Sequence, residues 1–167
     1  MMSEMRRVLL LVAAAVLLAG CGSVIPDDFP ADPDGTLDRV RDEGVLRVAA
    51  SPRRGWVDVA DEPPTGPEPR LVAGFADHLA AEVEWTVAGE EELVRLLEDG
   101  RIDLAVGGFT DTNAWVEKVG LTRAYAEVEV AGTTEAHVMM VPMGENAFQV
   151  ELERWLDDPS TVGGGTS

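Results

Sequence analysis

The chain has 167 residues, a single cysteine and a net charge of −18, with 31 Asp plus Glu against 13 Lys plus Arg. A field that acidic excludes nucleic acid and bare anionic membrane as natural partners, and one cysteine excludes an internal disulfide. The length suits one domain whose core carries the stability alone.

Arg6 and Arg7 precede an uncharged apolar run from Val8 to Ala19, and Leu18-Ala19-Gly20-Cys21 closes it. Basic, apolar and small-residue segments in that order read as a secretory signal. The run is about 12 residues, short of the roughly 20 that span a bilayer as a helix, so a retained anchor helix is the weaker reading. Leu18-Ala19-Gly20-Cys21 resembles the lipobox of bacterial lipoproteins. The resemblance implies a diacylglycerol on the Cys21 thiol, cleavage before Cys21 and acylation of the new amine; a free cysteine is the alternative. Two or more acyl chains anchor stably, at about 0.8 kcal/mol per buried CH₂. Residues 1–20 are thus expected to be a signal peptide. The expected location is the cell envelope, with a domain outside the cytoplasm tethered to the plasma or outer membrane. Loss of Glu4, Arg6 and Arg7 takes the net charge from −18 to −19.

Residues 21–35 read as the acylated cysteine and a Pro/Asp-rich flexible linker. Residues 36–158 read as the folded domain and residues 159–167, with Gly163-Gly164-Gly165, as a disordered tail. Leu37 and Val40 share one face of a helix over Thr36–Glu43, which Gly44 stops. Val45–Ala50 is an apolar run of strand length. Ser51–Pro69, rich in Pro and Gly, is loop. Leu71, Val72, Phe75 and Leu79 recur at helical steps over Glu68–Ala81. A strand follows at Val83–Val87, then a helix at Gly89–Glu98 with Gly100 as its cap. Ile102–Val106 is a buried-type strand that Gly107 and Gly108 break, and Asn113–Lys118 a helical turn. Tyr125–Val130 and Ala136–Val141 read as strands joined by the hairpin loop Ala131–Glu135. Asn146 opens a last helix carrying Phe148, Leu152, Trp155 and Leu156. Alternating strands and helices predict an α/β domain with a largely parallel sheet flanked by helices.

Ligands of such sheets sit beyond the carboxyl ends of the strands. Two loops leave strands there, Ser51–Trp56 and Gly107–Trp115. Gly107 and Gly108 permit close backbone approach, Thr110 and Thr112 offer hydroxyls, and Trp56 and Trp115 offer flat apolar faces. Together they fit a small-molecule pocket; the bland alternative packs both Trp on the core and makes the Gly pair a turn. His78 and His137 lie far apart in the chain. No Ser-His-Asp order, metal-ligand spacing or phosphate loop is present. The expectation is therefore a binding protein and not an enzyme, with no cofactor and no metal.

Four stretches in order carry a resemblance. They are Leu37-Asp38-Arg39-Val40-Arg41-Asp42-Glu43-Gly44-Val45-Leu46-Arg47-Val48; Gly66-Pro67-Glu68-Pro69-Arg70-Leu71; Leu97-Glu98-Asp99-Gly100-Arg101-Ile102-Asp103-Leu104-Ala105-Val106-Gly107-Gly108-Phe109-Thr110; and Glu117-Lys118-Val119-Gly120-Leu121-Thr122-Arg123-Ala124-Tyr125. The chain resembles solute-binding proteins of family 3, the polar amino acid receptors of ABC transporters. The resemblance implies a single lobe of a periplasmic-binding-protein-like fold. The second lobe of the family is missing: the outgoing strand after Tyr125 turns at Gly132 and returns, so a β-hairpin takes that lobe's place. It also implies that Trp56 packs against a ligand, that the backbone of Gly107 and Gly108 meets it, and that Thr110 offers it a hydroxyl. The family's carboxylate-binding Arg corresponds to Trp115 here, which supplies neither charge nor fork; Arg53, Arg54 and Arg123 are candidate substitutes that nothing in the sequence places there. Glu68 matches an acid at the start of the next helix, a place that dipole matching explains without a ligand. The expected function is weak binding of a small, amino-acid-like solute in a half-open groove, with an ABC permease or another envelope protein as partner. The alternative is an envelope interaction module that has lost solute binding.

Overall fold

The computed structural model describes residues 32–158. The expected signal peptide, Cys21 and the tail after residue 158 lie outside the described residues. The elements run α1 (Thr36–Glu43), β1 (Val45–Ala50), α2 (Pro67–His78), β2 (Glu82–Val87), α3 (Glu90–Glu98), β3 (Leu104–Thr110), β4 (Gly120–Leu121), β5 (Ala126–Val130), β6 (Thr133–Val141) and α4 (Asn146–Leu156). They form a six-stranded sheet of order β2-β1-β3-β6-β4, with β5 also on β6. Pairing is parallel across β2-β1-β3 and antiparallel wherever β6 takes part. The parallel character is thus confined to the half of the sheet built by helical crossovers; the hairpin strands supply the other half.

Alternation along the strands builds two cores, one on each face. Val48, Ala50, Leu104, Val106, Met139 and Val141 face α1, α2 and α4, where Val40, Phe75, Phe148 and Leu152 meet them. Ala49, Ala105, Val138 and Met140 face α3, whose Leu93 and Leu97 close the second core with Phe109. Asp103, buried at the start of β3, binds the backbone N–H and the guanidinium of Arg47 and so ties β3 to β1 at the end away from the strands' carboxyl termini.

Three boundaries differ from the sequence expectations by three residues or more, each for a local reason. Helix α2 stops at His78 rather than Ala81. Ala80 takes φ 56, and the N–H of Ala81 reaches back to the carbonyl of Ala76. This is a Schellman stop with alanine where glycine usually stands, so no Gly marks it. Strand β3 runs on through Gly107 and Gly108 to Thr110. Between the pairs Ala105–Met140 and Phe109–Val138, β3 uses four steps against two of β6. Gly108, at φ 61, absorbs the excess as a bulge instead of ending the strand. The β5–β6 loop is only Ala131-Gly132, with φ 51 and 85. Positive φ at both positions matches the twist of the flanking strands and needs no longer loop.

The end of the expected linker belongs to the domain. Asp32 accepts the N–H of Ala147 at 2.6 Å, capping α4, and the N–H of Leu37 at 3.4 Å. In return Glu145, almost fully buried, accepts the N–H groups of Asp34 and Thr36, each at 2.8 Å. The orphan donors of both helix starts are met by an acid from the other's leading segment.

Candidate functional site

Strands β1 and β3 end side by side, and the N–H of Ser51 donates to Val106 O at 2.8 Å. Beyond that point the chain folds back in a tight turn, Arg53 N to Val57 O at 2.9 Å and Trp56 N to Arg53 O at 2.9 Å. The turn lays two side chains over the bulge. A Cβ on Gly108 would lie 2.6 Å from Arg53 Cγ and 2.9 Å from Trp56 Cδ1. Close packing, as well as positive φ, therefore demands glycine there. The Trp56 indole also stacks on His137, centroids 3.8 Å apart at 32°, and meets Tyr125 edge-on at 6.0 Å.

Under this layer sits Glu68, on the first turn of α2 and 0% exposed. Its Oε2 accepts Gly108 N–H at 2.8 Å and its Oε1 accepts the Tyr125 hydroxyl at 2.5 Å. Burial pushes the carboxyl above its ordinary range, and hydrogen bonds from Tyr125, Gly108 and Gly107 pull it back. Burial, then the neighbouring Glu68 charge, holds the Tyr125 phenol protonated. Glu68 thus serves the fold. Its carboxylate takes a backbone donor that the family resemblance assigns to a ligand.

His137 belongs to the same layer, a placement that sequence reading missed. It is 2% exposed, on the same face of β6 as Met139 and Val141, and paired with Thr110 of β3. Its Nδ1 is buried without a hydrogen-bond partner, and its Nε2 lies 3.9 Å from Glu135. Burial lowers its pKa; Glu135 and the backbone of Phe109 and Gly108 act to raise it, and Arg53 lowers it further. The two-residue alternation of β6 places it on the Trp56 side, a signal available once β6 is known to start at Thr133.

Thr110 and Thr112 hold each other, Oγ1 to Oγ1, at 3.3 Å. Asn113 then shapes the loop, Nδ2 to Thr110 O at 2.6 Å and Oδ1 from Trp115 N at 2.9 Å. The expected helical turn over Asn113–Lys118 is a set of hydrogen-bonded turns. Trp115 packs on the core of the α3 face, whereas Trp56 packs on the core of the opposite face. The two indoles thus do not share a core, and a common rim is not what holds them. Trp115 borders a separate surface cavity of about 680 Å³ with Gly89, Glu90, Glu91 and Lys118.

The three substitute arginines also separate. Arg123 is held by Glu153 at 3.0 Å and Asp157 at 2.6 Å, beside α4. Arg53 lies against Gly108, and neither it nor the exposed Arg54 has an ion pair among the described residues. Among the described residues no group of His, Cys, Asp and Glu is placed to hold a metal ion. No described helix is long and apolar enough to cross a membrane.

Residues 46–163 match the bacterial extracellular solute-binding proteins, family 3. The membrane-bound lytic murein transglycosylase F 2 of Alkalilimnicola ehrlichii is 33% identical over 122 residues, 71% of this chain and 26% of the relative. The membrane-bound lytic murein transglycosylase F of Vibrio vulnificus is 29% identical over 110 residues, 65% of this chain and 20% of the relative. The chain therefore spans about a quarter or less of these relatives. Among solved structures, the arginine-bound form of domain 1 from the arginine-binding protein TmArgBP superposes with TM-score 0.64 at 21% identity, covering 71% of this chain and 96% of that one. An ancestral cationic amino acid solute-binding protein gives TM-score 0.68 at 14% identity, over 77% of this chain and 95% of that one. At such identities the likeness is one of fold, and the fold is that of one lobe.

Proposed function

The chain belongs to the bacterial extracellular solute-binding proteins of family 3, and from that premise we propose that its one lobe holds a small, amino-acid-like solute weakly, on the face formed by Trp56, Arg53, Gly108 and Thr110. The observation that carries the reading is the seating of Trp56 and Arg53 on the positive-φ bulge at Gly108. It sets an aromatic face, an exposed cation and a hydroxyl at the carboxyl ends of β1 and β3, where open α/β sheets take ligands. A single domain of TmArgBP carrying arginine supports the idea that one lobe is enough to hold an amino acid. Ordinary pockets bury about 70–90% of a ligand, and one lobe leaves much of it in water. The expected Kd is about 10⁻⁴ M or weaker, roughly −5.5 kcal/mol. Thr112, held by Thr110, stands at the margin of this face. Lipid on Cys21 would hold the domain at the envelope, within reach of a permease.

The names of the murein transglycosylase relatives favour a second reading, in which the lobe is an envelope interaction module beside cell-wall enzymes. Titration of the purified chain with the amino acids, followed by the indole N–H signals in NMR, separates the two. A saturable shift at Trp56 supports solute binding. Silence with every amino acid, together with a stoichiometric protein partner crosslinked in membranes, supports the module.

A further inference from the structure

The hairpin of β5 and β6 carries a surface that solute binding does not use. β5 is joined to the sheet by β6 alone, and among the described residues no strand pairs with its other edge. The two-residue turn makes Val130 and Thr133 a hydrogen-bonded pair, and such pairs recur at every second residue. The N–H and C=O of Glu127 and Glu129 therefore point away from β6. Alternation puts Ala126, Val128 and Val130 on the face of His137, and Glu127 and Glu129 on the other. Val128 is 37% exposed and Val130 44%. β2, at the opposite end of the sheet, instead packs Val83 and Trp85 against the core.

An open edge accepts another strand unless something blunts it. No proline, lysine or register shift interrupts β5 from Ala126 to Val130. Its guard is charge. A second copy pairing two-fold about Val128 would set Glu127 against Glu129 twice, and like charges directly opposite disfavour pairing. The net charge of −18 on each chain adds to that repulsion. Neither hairpin strand carries Lys or Arg. Among the described residues neither glutamate has an ion pair; Glu129 accepts the Thr134 hydroxyl. We infer that the free edge of β5 docks an extended segment of a basic partner protein, with Lys or Arg opposite Glu127 and Glu129 and an apolar side chain against Val128. Main-chain hydrogen bonds to Glu127 and Glu129 supply the affinity, and the alternating side chains choose the partner. The inference does not depend on solute binding, and either can fail without the other.

The probe is the peptide acetyl-Lys-Val-Lys-Val-Lys-amide, with acetyl-Glu-Val-Glu-Val-Glu-amide as its control. Each is raised to about 5 mM against the ¹⁵N-labelled full chain carrying Cys21→Ala, and the amide signals are followed. The expected result is a saturable shift of the Glu127 and Glu129 amides with the basic peptide, slowed hydrogen exchange at both, and no response to the acidic one. The double variant Glu127→Lys/Glu129→Lys changes two exposed side chains. It should weaken the basic peptide about tenfold or more and admit the acidic one. Glu129→Pro removes one outward donor at a place where an edge strand tolerates proline. It should weaken the basic peptide about three- to tenfold, with the amide signals of β1 and β3 reporting that each variant is folded. An equal response at the acidic first turn of α3, Glu90, Glu91 and Glu92, would mean bulk attraction and overturns the inference. So does a wild-type response in either variant, or silence with both peptides. Exchange protection of β5 that rises with protein concentration would mark a second copy on the edge and overturns it too.

Discussion

Glu68 Oε2 accepts the backbone N–H of Gly108 at 2.8 Å, across forty residues of chain. With Tyr125 on the other oxygen, one carboxylate joins the start of α2, the bulge of β3 and the entry to β5. The layer of Trp56 and Arg53 rests on that joint. Glu68→Ala would leave two buried donors unpaired, at about 1–3 kcal/mol each. Urea unfolding should show a loss of about 2–6 kcal/mol.

Glu68 also sets a pH signature. Burial holds its folded-state pKa above the ordinary value of 4.5, so protonation favours the fold. Its contribution is fully present below the ordinary carboxyl range and is lost as pH rises through the raised folded value. Glu68→Gln keeps an acceptor for Gly108 and removes the titration. The stability of wild type minus that of Glu68→Gln should therefore grow as pH falls from about 8 toward about 4.5, measured by urea unfolding at each pH.

Gly108→Ala carries two penalties. The left-handed backbone costs about 1–2 kcal/mol for a residue with a Cβ, and that Cβ meets Arg53 and Trp56 below 3.0 Å. The variant should lose at least that stability. It should also change tryptophan fluorescence as Trp56 is pushed off His137. An unchanged spectrum with unchanged stability would show that the Trp56–Gly108 seating is wrong.

Asp32→Ala removes the acceptor for Ala147, Phe148 and Leu37. An N-cap loss of about 1–2 kcal/mol is expected. A chain cut after residue 31 should keep full stability, and one cut after residue 35 should not, since it lacks Asp32 and Asp34. Thermal melts of the two truncations compare them directly.

Cys21→Ala should move the protein from the membrane fraction to the soluble one. Retention in membranes at the wild-type level would contradict lipid anchoring.

The fold was legible where one residue type does one job. Gly44 ends α1 at φ 67, and the run Val45–Ala50 is β1 to the residue. The α2 stop was hidden because Ala80 takes a conformation that glycine usually signals. The Gly107-Gly108 pair reads equally well as a break and as a bulge, and only pairing with β6 decides. The half-antiparallel sheet follows from the hairpin that was already visible at Gly132. The candidate face was legible at Trp56, Gly108 and Thr110 only as a set of neighbours, since they lie within a few residues of strand ends. It was not legible at His137, whose role depends on β6 alternation and on a ring from a loop eighty residues earlier. Nor was the separation of Trp56 from Trp115 legible. Their loops leave neighbouring strands, but the side chains pack on opposite faces.

One titration tests single-lobe solute binding most directly. The Cys21→Ala chain is followed by NMR at its indole N–H and arginine Nε–H signals as each amino acid is raised to about 10 mM, well above a Kd of 10⁻⁴ M. The predicted result is a saturable response to at least one amino acid at Trp56 and Arg53, with a Kd of about 10⁻⁴ M or weaker. Trp56→Ala should abolish it, whereas Trp115→Ala should lower stability and leave it within about twofold, since a contact on the other core adds little to affinity. A submicromolar complex, or a response confined to Trp115, would contradict it.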